Sequence, residues 1–223
     1  MIDYTIRTKA DLIRAVEELG ILPYFCGSIP GFSIEEHVGK EAWFDSEEGI
    51  WEWKGPVIRE TGCAYGKFFD KKAAFVSKEW FDDLANYRRD GYDFDARFED
   101  ELASYQDKYL FELVEANGPI LSKDLKKLGD YRKDGRKGFD TVIGRLQFQC
   151  YVVISDFVYL KDKHGQKYGW GVAEYAIPEV SMGKSFASSV YQRKPAESYR
   201  RLFDHIKKIC PQATEEQIRR FLK

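Results

Sequence analysis

Between residues 107 and 176 the apolar side chains run through a fixed order of periods, and that order limits the fold more than any other feature of the chain. Tyr109, Leu110, Leu113 and Val114 recur at helical spacing and stop at Asn117-Gly118. Pro119-Ile120-Leu121 is a short extended link, and Ser122 is a good N-cap for a brief helix over 123–128, with Asp124 well placed in its first turn. After the basic connector Tyr131–Lys137, Phe139, Val142, Ile143 and Leu146 stand at i, i+3, i+4 and i+7 and predict another helix. Strand patterns follow over 150–160 and 168–175, joined by the turn Lys163-His164-Gly165-Gln166. Three helices and then a β-hairpin is the order of a winged helix-turn-helix.

The flanks are consistent with mixed α+β structure. Thr8 and Asp11 form a capping-box pattern for a helix over about 9–19, closed by Gly20. Pro23, Gly27, Pro30 and Gly31 predict a loop over 21–34, with a helical turn over 34–38. Val57–Glu60, Cys63–Phe69 and Ala73–Val76 read as strands separated by Thr61-Gly62 and the charged turn Asp70-Lys71-Lys72. Ser77 caps a helix carrying Trp80, Phe81 and Leu84, residues 86–97 read as a polar, aromatic connector, and a long helical pattern begins near Phe98. In the tail, Pro195 opens one helix and Thr214-Glu215-Glu216-Gln217 opens a last short one. The expected architecture is α+β, made of winged helix-turn-helix units (three helices plus a β-hairpin wing). Residues 1–106 form an acidic, aromatic-rich winged-helix-like unit, 107–180 a basic winged-helix domain, and 181–223 a C-terminal helical tail.

Charge divides the chain. Residues 1–106 hold 13 Lys and Arg against 22 Asp and Glu, whereas residues 107–223 hold 22 against 15. An acidic half is a poor place for phosphates and a basic half a good one. Several classes are disfavoured. No apolar run approaches the ~20 residues of a membrane span, and the first residues carry no secretory pattern. Cys26, Cys63, Cys150 and Cys210 are scattered, which fits reduced thiols in a cytoplasmic protein better than a disulfide framework. His37, His164 and His205 lie outside metal-ligand spacing, and neither a glycine-rich phosphate loop nor a nucleophile elbow occurs, so no metal or cofactor is expected.

Duplex DNA is the partner this pattern points to. The third helix of a winged helix enters the major groove, while its flanks and the wing hold phosphates. Lys123, Lys126, Lys127, Arg132, Lys133, Arg136, Lys137 and Arg145 supply that charge, and Lys161, Lys163 and Lys167 add to it at the wing. The outward face of the third helix (Asp140, Thr141, Gly144, Arg145, Gln147) is thin in base-reading groups, which predicts backbone and shape recognition. A second candidate is an aromatic pocket: Trp51, Trp53, Tyr87 and Tyr92 could stack a flipped base, and Asp93 or Asp95 could orient a water. The same tryptophans could equally build a core. A winged helix serving only as a protein-interaction module, its partner unknown, is the third reading.

Several stretches resemble one known family. They are Ile50-Trp51-Glu52-Trp53-Lys54-Gly55-Pro56, Tyr65-Gly66-Lys67-Phe68-Phe69, Asn86–Arg97, Lys137-Gly138-Phe139-Asp140-Thr141, Arg145-Leu146-Gln147-Phe148-Gln149 and Tyr168-Gly169-Trp170-Gly171-Val172-Ala173. Together, over about residues 8–179, they look like the AlkZ-related proteins. The resemblance implies kinship with bacterial winged-helix DNA glycosylases of the AlkZ type, which excise alkylated or crosslinked bases. Those enzymes position the attacking water with a Gln–apolar–Asp or Gln–apolar–Gln motif, and the literal match here is Gln147-Phe148-Gln149, at the end of the third helix. This chain is much shorter than those enzymes, so the resemblance implies the fold and a DNA-related role more than it implies catalysis.

Overall fold

The structure is a computed structural model that describes residues 5–39, 41–44 and 49–223. Its elements follow in the order α1 (Lys9–Leu19), β1 (Ile21–Pro23), α2 (Ile34–His37), α3 (Glu41–Phe44), α4 (Ile50–Thr61), β2 (Ala64–Phe69), β3 (Lys72–Val76), α5 (Lys78–Arg89), α6 (Phe94–Glu99), α7 (Tyr105–Asn117), β4 (Ile120–Leu121), α8 (Ser122–Leu128), α9 (Phe139–Phe148), β5 (Val153–Lys161), β6 (Lys167–Ala176), α10 (Pro178–Ser181), α11 (Ser185–Ser189), α12 (Pro195–Ile209) and α13 (Glu215–Leu222). No helix among the described residues is long and apolar enough to cross a membrane.

Local chemistry sets most of these boundaries. Thr8 Oγ1 accepts from the Asp11 N–H at 3.2 Å while the Asp11 carboxylate accepts from the Thr8 N–H at 3.0 Å, so two orphan donors of α1 are satisfied reciprocally. Ser104 and Asp107 repeat the device at α7. Gly62 closes α4 with left-handed backbone (φ +65°), and its N–H donates to the Ile58 carbonyl at 2.8 Å.

Some expectations fail. Residues 21–34 are not all loop, because Ile21–Pro23 pairs with β3 at the sheet edge, where a strand tolerates proline. Val57–Glu60 is not a strand but the second half of α4. The Glu52 carboxylate accepts from the Gly49 N–H at 2.9 Å and starts the helix upstream, and Ile50, Trp53, Val57 and Ile58 are buried along it. The 86–97 connector contains the end of α5 and the start of α6. The helical pattern from Phe98 is broken, since Glu101 takes left-handed backbone (φ +59°) before α7 begins. Ser122 is the first helical residue of α8, and Leu121 is the cap.

The strands form an antiparallel sheet in the order β1-β3-β2-β5-β6-β4. This order mirrors itself. In each half a short strand (β1 or β4) pairs with the second arm of a hairpin (β3 or β6), and the first arms meet at Tyr65↔Ile154. The helix preceding each hairpin packs on the other half: α4 on β5, and α9 on β2. Arg59 of α4 pairs with Asp156 of β5, and Gln147 of α9 accepts from the Lys67 N–H of β2 at 3.1 Å. The tail completes the core. Buried Asp83 of α5 accepts from Ser198 Oγ at 2.7 Å and Arg201 Nε at 2.8 Å of α12, and Phe221 of α13 stacks on Phe69 with ring centroids 4.2 Å apart.

Candidate nucleic-acid interface

Eight cations lie on α8, α9 and the loop between them. Lys123, Lys127, Lys133, Arg136 and Lys137 are exposed and make no ion pair among the described residues. The loop that carries three of them is wound on Asp130, whose carbonyl accepts from the Arg136 N–H at 2.8 Å and the Arg132 N–H at 3.1 Å. Gly135 is required there, because a Cβ would stand 2.1 Å from that carbonyl oxygen. Lys137 Nζ donates to the carbonyls of Arg132, at 3.2 Å, and Lys133, and the Arg136 guanidinium lies over the Tyr109 ring at 4.0 Å. The other three cations are partly neutralised: Arg132 by Asp130, Lys126 by Asp140 at 3.4 Å, and Arg145 by buried Asp107 at 2.6 Å.

The outward face of α9 lines a cleft. Asp140, Thr141, Gly144, Arg145 and Phe148 form one wall, and Lys67 and Lys71 of the β2–β3 hairpin form the other, around a volume of about 490 Å³. Both lysines are exposed without an ion pair among the described residues. The Arg88 guanidinium covers Phe148 at 3.8 Å from the ring centroid, and burial lowers its pKa from the usual arginine value. Reading by element missed Lys67 and Lys71, because they belong to the acidic half. The only local signal was the charged turn Asp70-Lys71-Lys72.

The β5–β6 hairpin carries its cations elsewhere. Leu121 lies opposite Glu174, and Lys161 lies opposite Lys167 at the far end of the ladder. At ~3.3 Å per residue the hairpin tip stands roughly 23 Å along β6 from the start of α8. Its outer half leans on α4, where Trp170 meets Trp51 edge-on at 6.1 Å and Lys54 Nζ sits 4.1 Å from the Phe157 ring centroid. Lys161 and Lys163 are exposed.

The catalytic and stacking candidates separate. Gln147 is buried, and its amide is occupied: Oε1 accepts from the Lys67 N–H and Nε2 donates to the Ile143 carbonyl at 3.2 Å. It is a clamp between α9 and β2. Gln149 ends α9, with its Oε1 buried and without a hydrogen-bond partner among the described residues. Asp93 caps α6, accepting from the Ala96 N–H at 2.8 Å. Asp93 and Asp95 line a second cavity, of about 330 Å³, with Arg89, Tyr151, Glu115, Glu179 and Tyr191. There burial, and then the Asp95 and Glu179 charges, raise the Glu115 carboxyl.

The four aromatic candidates meet different neighbours. Trp53 is buried in the core. Half-buried Trp51 packs against buried Tyr24 and half-buried Phe25 and Trp43, Tyr87 lies against Tyr199, and the Tyr92 hydroxyl donates to Asp100 at 3.0 Å. Of the tryptophans close in sequence, Trp53 lies in the core, and Trp43 and Trp51 pack half-buried against it.

The class defined so far is a mixed α+β protein with an antiparallel sheet and an exposed basic segment beside a cationic cleft. A family model described as AlkZ related matches residues 6–223. The chain belongs to the AlkZ-related family. No curated protein and no solved structure matches it.

Proposed function

We propose that this chain binds duplex DNA in a repair-related setting, as a pair of winged-helix units joined edge to edge. Support for the fold reading comes from the repeated order of helix, short strand, helix and hairpin in the two halves, each with its short strand on the hairpin's second arm. The DNA reading rests on one observation: five exposed cations free of carboxylates on the α8–α9 segment. In this reading Lys123, Lys126, Lys127, Arg132, Lys133, Arg136, Lys137 and Arg145 follow the sugar-phosphate backbone, and Lys161, Lys163 and Lys167 are an outlying contact. Recognition is of backbone and shape, because the outward face of α9 turns into a cleft instead of standing free for a groove.

Salt-dependent binding tests this. Every phosphate that a variant leaves unneutralised flattens the log–log salt slope by about 0.9 on duplex, so Lys133→Glu with Lys137→Glu flattens it by about 1.8. Lys137 also holds its loop, so Lys123→Glu with Lys127→Glu, which touches no such bond, repeats the measurement. Wild-type binding that ignores salt, or no binding to any duplex, refutes the reading.

Base excision is a second reading, favoured by the cavity where Asp93 and Asp95 converge with buried Arg89 and Tyr151. A carboxylate there would orient the attacking water. Abasic sites released from duplexes carrying alkylated or crosslinked bases, and absent with Asp93→Asn or Asp95→Asn, would support it. No release by the wild-type protein leaves a binding protein.

A further inference from the structure

We propose that the cleft between α9 and the β2–β3 hairpin binds an unpaired nucleotide of single-stranded DNA, an inference that rests on the DNA-binding reading above. Charge argues for an anionic occupant. Arg145 and Asp140 already have partners in Asp107 and Lys126, whereas Lys67 and Lys71 face the cleft with their charges uncompensated. Size argues for a single strand. A volume of about 490 Å³ lies in the ~300–1,000 Å³ range of small-ligand sites. For a duplex the obstacle is steric. A helix with its side chains is ~10–12 Å across and fills a major groove ~12 Å wide, so the hairpin standing on one flank of α9 keeps that helix out. Phe148 supplies a ring for a base, backed by Arg88.

Two features mark the cleft as built rather than left over. Asp70 and Lys71 both hold left-handed backbone at the hairpin turn (φ +49° and +59°), the geometry that favours Asn-Gly. Asp70 is held by Ser28, whose N–H and Oγ donate to its carboxylate at 2.8 and 2.7 Å. A lysine therefore occupies a strained position at the tip, where its charge serves the cleft and glycine would relax the turn. The mirror-related place gives the contrast. Between α4 and the β5–β6 hairpin Lys54 lies over the rings of Trp51 and Phe157, 4.9 and 4.1 Å from their centroids, and so occupies that place itself. On α9, a Cβ at Gly144 would meet nothing within 4 Å.

Fluorescence anisotropy with labelled oligothymidylate and a labelled blunt duplex tests this on the full chain. Lys67→Ala with Lys71→Gly is expected to weaken oligothymidylate binding on the order of tenfold and to flatten its salt slope by about 1.4, at ~0.7 per phosphate on a single strand. Duplex affinity of the same protein stays close to wild type. Gly144→Leu fills the cleft from a helical position with open space, so it blocks oligothymidylate while the melting temperature holds or rises. Lys133→Glu with Lys137→Glu shows the opposite pattern, which separates failure of the duplex reading from failure of this one. Wild-type protein that does not bind oligothymidylate, or cleft variants that bind it as wild type does, would overturn the proposal.

Discussion

Gln147 illustrates how a side chain's role depends on what faces it. In sequence it is half of a Gln–apolar–Gln match; in the fold its amide joins α9 to β2 and is out of reach of solvent. Gln147→Leu removes the acceptor for the Lys67 N–H, and losing a typical intramolecular hydrogen bond costs about 0.5–1.5 kcal/mol. The urea midpoint should fall accordingly, and an unchanged midpoint would contradict the clamp. Lys54 carries a pH signature. Burial pulls its amine from 10.5 down to about 8, against a smaller opposing effect of Glu52. Below about pH 8 the fold bears the cost of a buried charge. Between there and 10.5 the unfolded chain keeps a proton that the folded chain has released, so this group's contribution to stability rises with pH. Lys54→Met is therefore expected to melt above wild type at pH 7, the gap narrowing as the pH rises past 8. A gap that stays constant with pH would rule this out.

Single elements were legible where their own caps and periods specify them. Thr8 with Asp11 and Thr214 with Gln217 start their helices by contacts within four residues, visible in the sequence, whereas the equally local Ser104–Asp107 box is hidden inside the helical pattern that runs on from Phe98. The α4 segment was misread because Pro56-Val57-Ile58 has strand-like composition and the cap that makes it helical lies upstream at Gly49. The three-residue β1 was missed because so short a strand has no period to read. At the other end, α13 is held by Phe221 between Phe69 and Phe32, with ring centroids at 4.2 and 5.7 Å. Phe221→Ala leaves a cavity against both rings and should cost about 3–5 kcal/mol, lowering the thermal midpoint. A loss under half a kilocalorie would mean the tail is dispensable.

Across the whole molecule one sheet takes strands from residues 21–76 and from 120–176, and each hairpin is roofed by the other half's helix. Heat should therefore unfold both halves in one transition, followed equally by tryptophan fluorescence, weighted to the N-terminal half, and by far-UV circular dichroism. Two separated midpoints would show that the halves stand independently. The sequence by itself determined where most helices and strands lie, that one half is acidic and the other basic, and which loop carries most of the charge. Those properties belong to single segments, and periodicity reports whether a segment has a buried face. Only the tertiary structure decided what covers each face: that α9 meets β2 across about eighty residues, that Lys67 and Lys71 of the acidic half join its outward side, and that the outer hairpin leans on α4 instead. Such pairings follow from strand order and shape complementarity between distant surfaces, and neither leaves a trace in the spacing of neighbours along the chain.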